Sequence, residues 1–268
     1  MNIKSKNYPF DVKLYFFTRK KLDKLFVIFN ACLSGIWLGM LNKETMHLID
    51  EYYYDNQQMY RWEEYNKAGL WKWEKKVIDK YFDKCKTLLL LGAGGGREVL
   101  ALSKLGYEVD GCECNPQLVE FGNQLIEKEG LTSNIQLVER DASLDNGKLY
   151  DGIIVGWGAY MLIQGREKRI AFLKNLRNQI NENSPILLSF FSMSGNNLYF
   201  KIVNKVSNSL RWITRKNALE FGDDLVPNFV HYFTQEQIAS ELQEAGFKLK
   251  MYSSNEYGHA VGIANELK

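Results

Sequence analysis

Hydrophobic and polar positions alternate most regularly from residue 87 onward. Residues 88–91 are an apolar run that stops at Gly92-Ala93-Gly94-Gly95-Gly96. Val99, Leu100, Leu102 and Leu105 then recur at helical spacing up to Gly106, a residue suited to ending a helix. Residues 107–112 read as a second strand closed by the acid Glu113. Residues 116–128 read as a helix with Leu118, Val119, Phe121 and Leu125 on its apolar side. Further strands are expected at 135–138, 150–156 and 185–191, with a helix at 166–180. Strands alternating with helices predict an α/β fold built on a doubly wound parallel sheet. Residues 192–233 are longer than an ordinary connection and read as an insertion. It holds a helix near 198–210 and a polar, irregular piece around 221–227. Thr234 and Gln237 open a last helix with a capping-box pattern, and 247–252 and 257–263 read as a closing strand pair.

Ahead of the sheet the pattern differs. Residues 25–41 are seventeen uncharged, mostly apolar residues, with Gly35 and Gly39 four apart. The first thirty residues carry seven Lys/Arg against Asp11 and Asp23. A basic flank before an apolar run resembles a membrane anchor. The run is at the short limit for crossing a bilayer and contains Asn30 and Ser34, so it is read as a buried helix. Spanning the bilayer, and attachment to a membrane surface or a tunnel for a lipid-like substrate, are the alternatives. Residues 43–86 are helical and crowded with aromatic residues. Tyr60, Trp71 and Trp73 are candidates for a helical lid, where a ring face over a cation gains roughly 0.5–2 kcal/mol. The expected division is an N-terminal helical region, 1–84, ahead of a ligand-binding domain, 85–268, interrupted at about 192–233.

The chemistry concentrates where the first strand meets its helix. A strand, a glycine turn, a helix N-terminus and an acid closing the second strand form a cradle for a nucleotide-like ligand. Glu113 follows Gly92 by 21 positions, where a carboxylate reaches ribose hydroxyls. The dinucleotide fingerprint G-x-G-x-x-G fails in both registers, because position 97 is Arg and position 99 is Val. What stands there is G-x-G-x-G: Gly92, Gly94 and Gly96. In this the chain resembles the class I S-adenosylmethionine-dependent methyltransferases, although Leu90 occupies the position where their motif usually carries an acid.

The resemblance implies a Rossmann-like sheet whose last strand is antiparallel, with an N-terminal helical lid. It implies S-adenosyl-L-methionine as cofactor, held by Gly92, Ala93, Gly94, Gly96, Glu113, Cys114, Asp141, Ala142 and Gly156. It also implies methyl transfer to a small-molecule or short-peptide acceptor. Tyr160, just past the fourth strand, and His231, closing the insertion, are the catalytic candidates. Arg97 pairs either with a nearby acid such as Glu98 or with a ligand carboxylate. A non-catalytic nucleotide-binding protein and an NAD(P)-dependent oxidoreductase remain as alternatives.

Composition narrows the partners. A net charge of +2 argues against nucleic acid. So does Gly-Trp-Gly-Ala-Tyr after the fourth strand, in place of the Asn/Asp-Pro-Pro-Tyr found in methyltransferases of adenine and glutamine amino groups. The four cysteines make neither a zinc spacing nor a disulfide framework, and no metal is expected. Reduced thiols suit a cytoplasmic protein.

Overall fold

The computed structural model describes residues 8–144, 146–193 and 197–266. Lys4 and Lys6 of the basic flank, and residues 194–196 of the insertion, lie outside these. The chain forms two compact units, Met1–Leu41 with Asn196–Asp224, and Asn42–Gly195 with Leu225–Lys268. That division differs from the expected one at residues 84 and 85.

The larger unit is the α/β body. Its strands are β1 (Thr87–Leu91), β2 (Glu108–Glu113), β3 (Asn134–Leu137), β4 (Gly152–Val155) and β5 (Pro185–Ser192). All pair in parallel in the order β3-β2-β1-β4-β5. After a short strand β6 (Asp223–Leu225) come β7 (Phe229–Phe233), β8 (Phe247–Ser253) and β9 (Gly258–Ala264). Strand β9 runs antiparallel to both β5 and β8, which gives the expected reversed last strand. The aromatic stretch around His231 is a strand, β7, that extends the end of β5 through Phe191 and Ser192. The sequence reading had assigned no strand there.

Helix ends follow local chemistry. Asn42 accepts the Thr45 N–H at the start of α2 (Lys43–Asn56), at 2.7 Å. One turn, α3 (Glu63–Asn66), and α4 (Lys72–Tyr81) complete the stretch before the sheet. Helix α5 (Arg97–Lys104) starts from Gly96, and Pro116 takes the first position of α6 (Pro116–Lys128) behind the Asn115 cap. Helix α7 (Arg166–Arg177) lies between β4 and β5. Two apolar layers cover the sheet. One is centred on Leu89, Ile153, Leu188 and Phe247, the other on Leu88, Leu90, Val99 and Ile154.

The smaller unit pairs α1 (Phe10–Met40) with α8 (Leu198–Ile213); α9 (Gln235–Glu244) belongs to the larger. Gly35 and Gly39 let the two helices touch. A Cβ at Gly35 would lie 2.9 Å from the Val203 carbonyl oxygen, and one at Gly39 2.8 Å from the Leu210 Cβ. Arg211 donates to the carbonyls of Leu38 and Leu41, both at 3.1 Å, and so caps the end of α1. Residues 25–41 are helical but not buried as expected. Only Ala31, Ser34, Gly35, Leu38 and Gly39 are covered, because α8 meets one face of the last third of α1.

Candidate functional site

The carboxyl ends of β1, β2 and β4 come level, Leu91 standing beside Cys112 and Val155. The loops leaving these ends enclose a cavity of about 510 Å³, within the roughly 300–1,000 Å³ usual for small-ligand sites. Gly92, Ala93, Gly94, Glu113, Cys114, Asp141 and Ala142 all line it. Gly96 and Gly156 do not, and act from behind. Gly96 begins α5 with a left-handed φ of 97°. A side chain at Gly156 would meet the Gly92 carbonyl oxygen at 2.6 Å, so its absence lets the two turns pack together.

Gly94 has φ +54°, and a Cβ there would meet no protein atom within 4 Å. The turn therefore presents bare backbone to open space. Beside it the Glu113 carboxylate accepts three backbone N–H groups: Gly94 at 2.8 Å on Oε2, and Cys114 at 2.8 Å and Asn115 at 2.9 Å on Oε1. A carboxylate has about four acceptor positions, so its orientation is fixed while Oε2 keeps one for a ligand hydroxyl. Across the cavity Asp141 holds a left-handed φ of 61°, which Asp tolerates better than most residues. Burial pushes its carboxyl up from the ordinary value.

The cover is aromatic. Tyr54, Tyr60, Tyr65 and Trp157 line the cavity. Ring centroids are 5.6 Å apart from Tyr54 to Tyr60 and 5.8 Å from Tyr60 to Tyr65. Burial pushes the Tyr60 phenol up to about 12 and raises Tyr54 and Tyr65 as well, so these groups are neutral hydrogen-bond donors near pH 7. The lid rests directly on the glycine turn. A Cβ at Gly95 would fall 2.2 Å from the Tyr60 carbonyl oxygen. Of the other lid candidates, Trp71 lies behind the lining, over the Arg97 guanidinium at 4.8 Å. Trp73 stacks on His259 at 4.5 Å.

Arg97 pairs with acids of this chain. It binds Glu74 through both terminal nitrogens at 2.7 Å and Glu98 at 2.8 Å. Glu98 also accepts the Trp157 N–H at 3.3 Å. This buried network fixes α4, the start of α5 and the loop after β4 around the cavity.

The two catalytic candidates lie elsewhere. Tyr160 is fully buried and donates to Glu241 at 2.5 Å, while Arg169 holds the same carboxylate at 2.7 Å. Burial, reinforced by Glu241, raises its phenol far above the ordinary value, so it supplies no base. His231 is also fully buried, 3.3 Å from the Gln237 amide and edge-on to Phe233. Neither lines the cavity, because both point into the apolar layer beneath the sheet end.

His47, Glu51, Arg140 and Lys168 do line the cavity, and the sequence reading singled out none as part of the site. His47, Glu51 and Tyr54 stand at i, i+4 and i+7 on α2, so a shared helical face was the available signal. Among the described residues the buried His47 Nδ1 finds no hydrogen-bond partner. Burial and then the Arg140 cation lower its pKa, which leaves a neutral imidazole at pH 7.

Residues 52–200, more than half of the chain, match the family model described as tellurite resistance protein TehB. A protein named probable S-adenosyl-L-methionine-dependent methyltransferase TehB, from Haemophilus influenzae, is 31% identical over 131 residues. These cover 48% of this chain and 43% of that protein, so the chain matches under half the length of that relative. Among solved structures, TehB from Haemophilus influenzae shares the fold with TM-score 0.52 at 19% identity, over 76% of this chain and 67% of that one. The 1,6-didemethyltoxoflavin-N1-methyltransferase of Burkholderia thailandensis gives TM-score 0.59 at 13% identity, over 85% and 92%. With the glycine turn, the acid closing the second strand and the family match in agreement, this chain belongs to the TehB family of class I S-adenosylmethionine-dependent methyltransferases.

Proposed function

We propose that the chain transfers a methyl group from S-adenosyl-L-methionine to a small-molecule acceptor enclosed beneath Tyr54, Tyr60 and Tyr65. One observation carries this reading. Gly94, Glu113 and Asp141 face a single cavity that the aromatic segment before the sheet closes. The fixed Glu113 carboxylate with its free acceptor position suits the ribose, the bare turn at Gly92–Gly94 suits the amino-acid end, and Asp141 with Ala142 suits the adenine end. When bound, the cofactor supplies a methyl group already activated as a sulfonium. The protein's part is alignment and exclusion of water, and alignment of this kind contributes roughly 7–11 kcal/mol. The aromatic cover favours a cation beneath it.

The acceptor's proton sets the remaining demand. The phenols above the cavity stay protonated near neutrality, so they position an acceptor by donating hydrogen bonds. Neutral His47 is a lining group able to take a proton, and Arg140 and Lys168 share the lining with the carboxyl groups of Glu51, Glu139 and Asp141. An enclosure of this size suits a small acceptor better than a peptide backbone. Tellurite, which appears in the family's description, therefore belongs in the panel to be tested.

The test incubates the full chain with methyl-labelled S-adenosylmethionine and tellurite, small thiols, small amines, short peptides and RNA. S-adenosylhomocysteine formation is followed by mass spectrometry. Turnover with a small molecule and none with RNA is expected. Bound cofactor without turnover, on the panel or on a metabolite extract, would favour a non-catalytic nucleotide-binding protein. Turnover confined to peptides would overturn the acceptor class.

A further inference from the structure

We propose that the two-helix unit docks flat on an anionic lipid bilayer, with the apolar stripe of α1 in the acyl boundary and the unit's excess positive charge within reach of the headgroup potential. Helix α1 has 31 residues, about 46 Å of helix at the usual rise, yet α8 covers only one face of its last third. The uncovered side carries Tyr15, Leu22, Phe26, Phe29, Leu33 and Met40 in one line, at steps of three, four and seven residues. Phe26 and Phe29 are each 64% exposed. Such a run of bare aromatic and aliphatic side chains marks an interaction surface rather than a solvated face.

The charges choose the occupant. Lys13, Lys20 and Lys24 recur at steps of seven and four on the side of α1 that continues the α8-facing stripe, opposite the apolar line. The described part of this unit holds ten Lys/Arg against five Asp/Glu, although the whole chain is only +2. On α1 the acids are Asp11 and Asp23, and Asp23 is already paired with Arg19 at 3.2 Å. A second copy would bring two units of like net charge together, whereas an anionic surface attracts that charge over about a Debye length.

The partner helix argues against crossing. Helix α8 exposes Lys201 and Lys205, and it packs on α1 through the Gly35 and Gly39 contacts. A spanning α1 would draw these residues into hydrocarbon, which is costly. At its far end α8 instead exposes Trp212, at 82%, and Ile213, residue types suited to a headgroup boundary.

The test floats the full chain with phosphatidylglycerol–phosphatidylcholine vesicles and with phosphatidylcholine alone. Two double variants are compared, Phe26→Glu/Phe29→Glu and Lys20→Glu/Lys24→Glu. All four positions are exposed, and circular dichroism with cofactor binding checks that each variant is folded. Flotation with the anionic vesicles, weakened by salt and reduced roughly tenfold or more in each variant, is the expected result. In the unmodified chain, tryptophan quenching by brominated lipids is expected to be stronger for labels near the headgroups than at the bilayer centre. Absence of flotation, equal flotation with neutral vesicles, or strongest quenching at the centre would overturn the proposal. So would a concentration-dependent dimer, seen by sedimentation without lipid and lost in Phe26→Glu/Phe29→Glu, if the dimer and not the monomer accounts for that face.

Discussion

Asp50 and Tyr160 show how burial sorts polar side chains into different tasks. Asp50 is fully buried beside Arg140, at 3.3 Å, and accepts the Phe229 N–H at 3.2 Å. Burial outweighs these partners and pushes its carboxyl from 3.8 up to about 6. The native state therefore holds this proton more tightly than the unfolded chain. The stability it brings is complete below the unfolded value and is lost as the pH rises through about 6, a difference of about 3 kcal/mol. His47 tilts the other way, since its lowered pKa costs stability as the pH falls below its unfolded value. Urea unfolding of the parent and Asp50→Asn at pH 5 and pH 7 separates the two. The variant is expected to gain stability relative to the parent on going from pH 5 to pH 7, and parallel behaviour would refute this assignment. Tyr160→Phe removes a buried hydrogen bond to a carboxylate, so a loss of roughly 1–3 kcal/mol is expected with kcat unchanged. A collapse of kcat in a folded variant would return Tyr160 to the catalytic machinery. Both residues were hard to read from sequence. Tyr160 sits at the right strand end, but the chain alone does not show that its hydroxyl turns inward to Glu241.

At the level of elements, the parts with strong local signals were legible. Strands β1 to β5, helices α5, α6 and α9 and the reversed final strand follow from apolar runs, glycine stops and caps that depend on neighbours in sequence. Seven of the nine expected cofactor residues line the cavity for the same reason, because turn and strand end are one local motif. What escaped depends on distant partners. Strand β7 was hidden because Phe229–Phe233 has no alternation and finds its place only against the end of β5. The exposure of α1 was hidden because an apolar sequence does not state what covers it. The contact of lid and turn is equally non-local, and Gly95→Ala probes it. The added methyl collides with the Tyr60 carbonyl, and overpacking of this kind costs roughly 1–3 kcal/mol, so cofactor affinity is expected to fall about tenfold or more by calorimetry. In the smaller unit, Gly35→Leu would force α1 from α8, and an earlier thermal transition is expected. An unchanged melting curve would mean that the helix contact contributes little.

For the whole molecule, the near-neutral total charge conceals a division of labour. A basic two-helix unit accompanies an α/β body that carries the cavity, and the proposed membrane contact and the proposed methyl transfer belong to different units. Flotation results therefore leave the enzymatic reading intact, and the reverse holds too. The claim on which the rest depends is that the Gly92–Gly96 turn and Glu113 hold the adenosyl cofactor. Titration calorimetry of S-adenosylhomocysteine into the parent chain, Gly94→Val and Glu113→Ala tests it most directly. Saturable one-to-one binding is expected for the parent, with affinity lower by roughly tenfold to hundredfold in Glu113→Ala, where a charge-assisted hydrogen bond is lost, and abolished in Gly94→Val. No heat with the parent, or equal affinity in all three folded chains, would contradict the account.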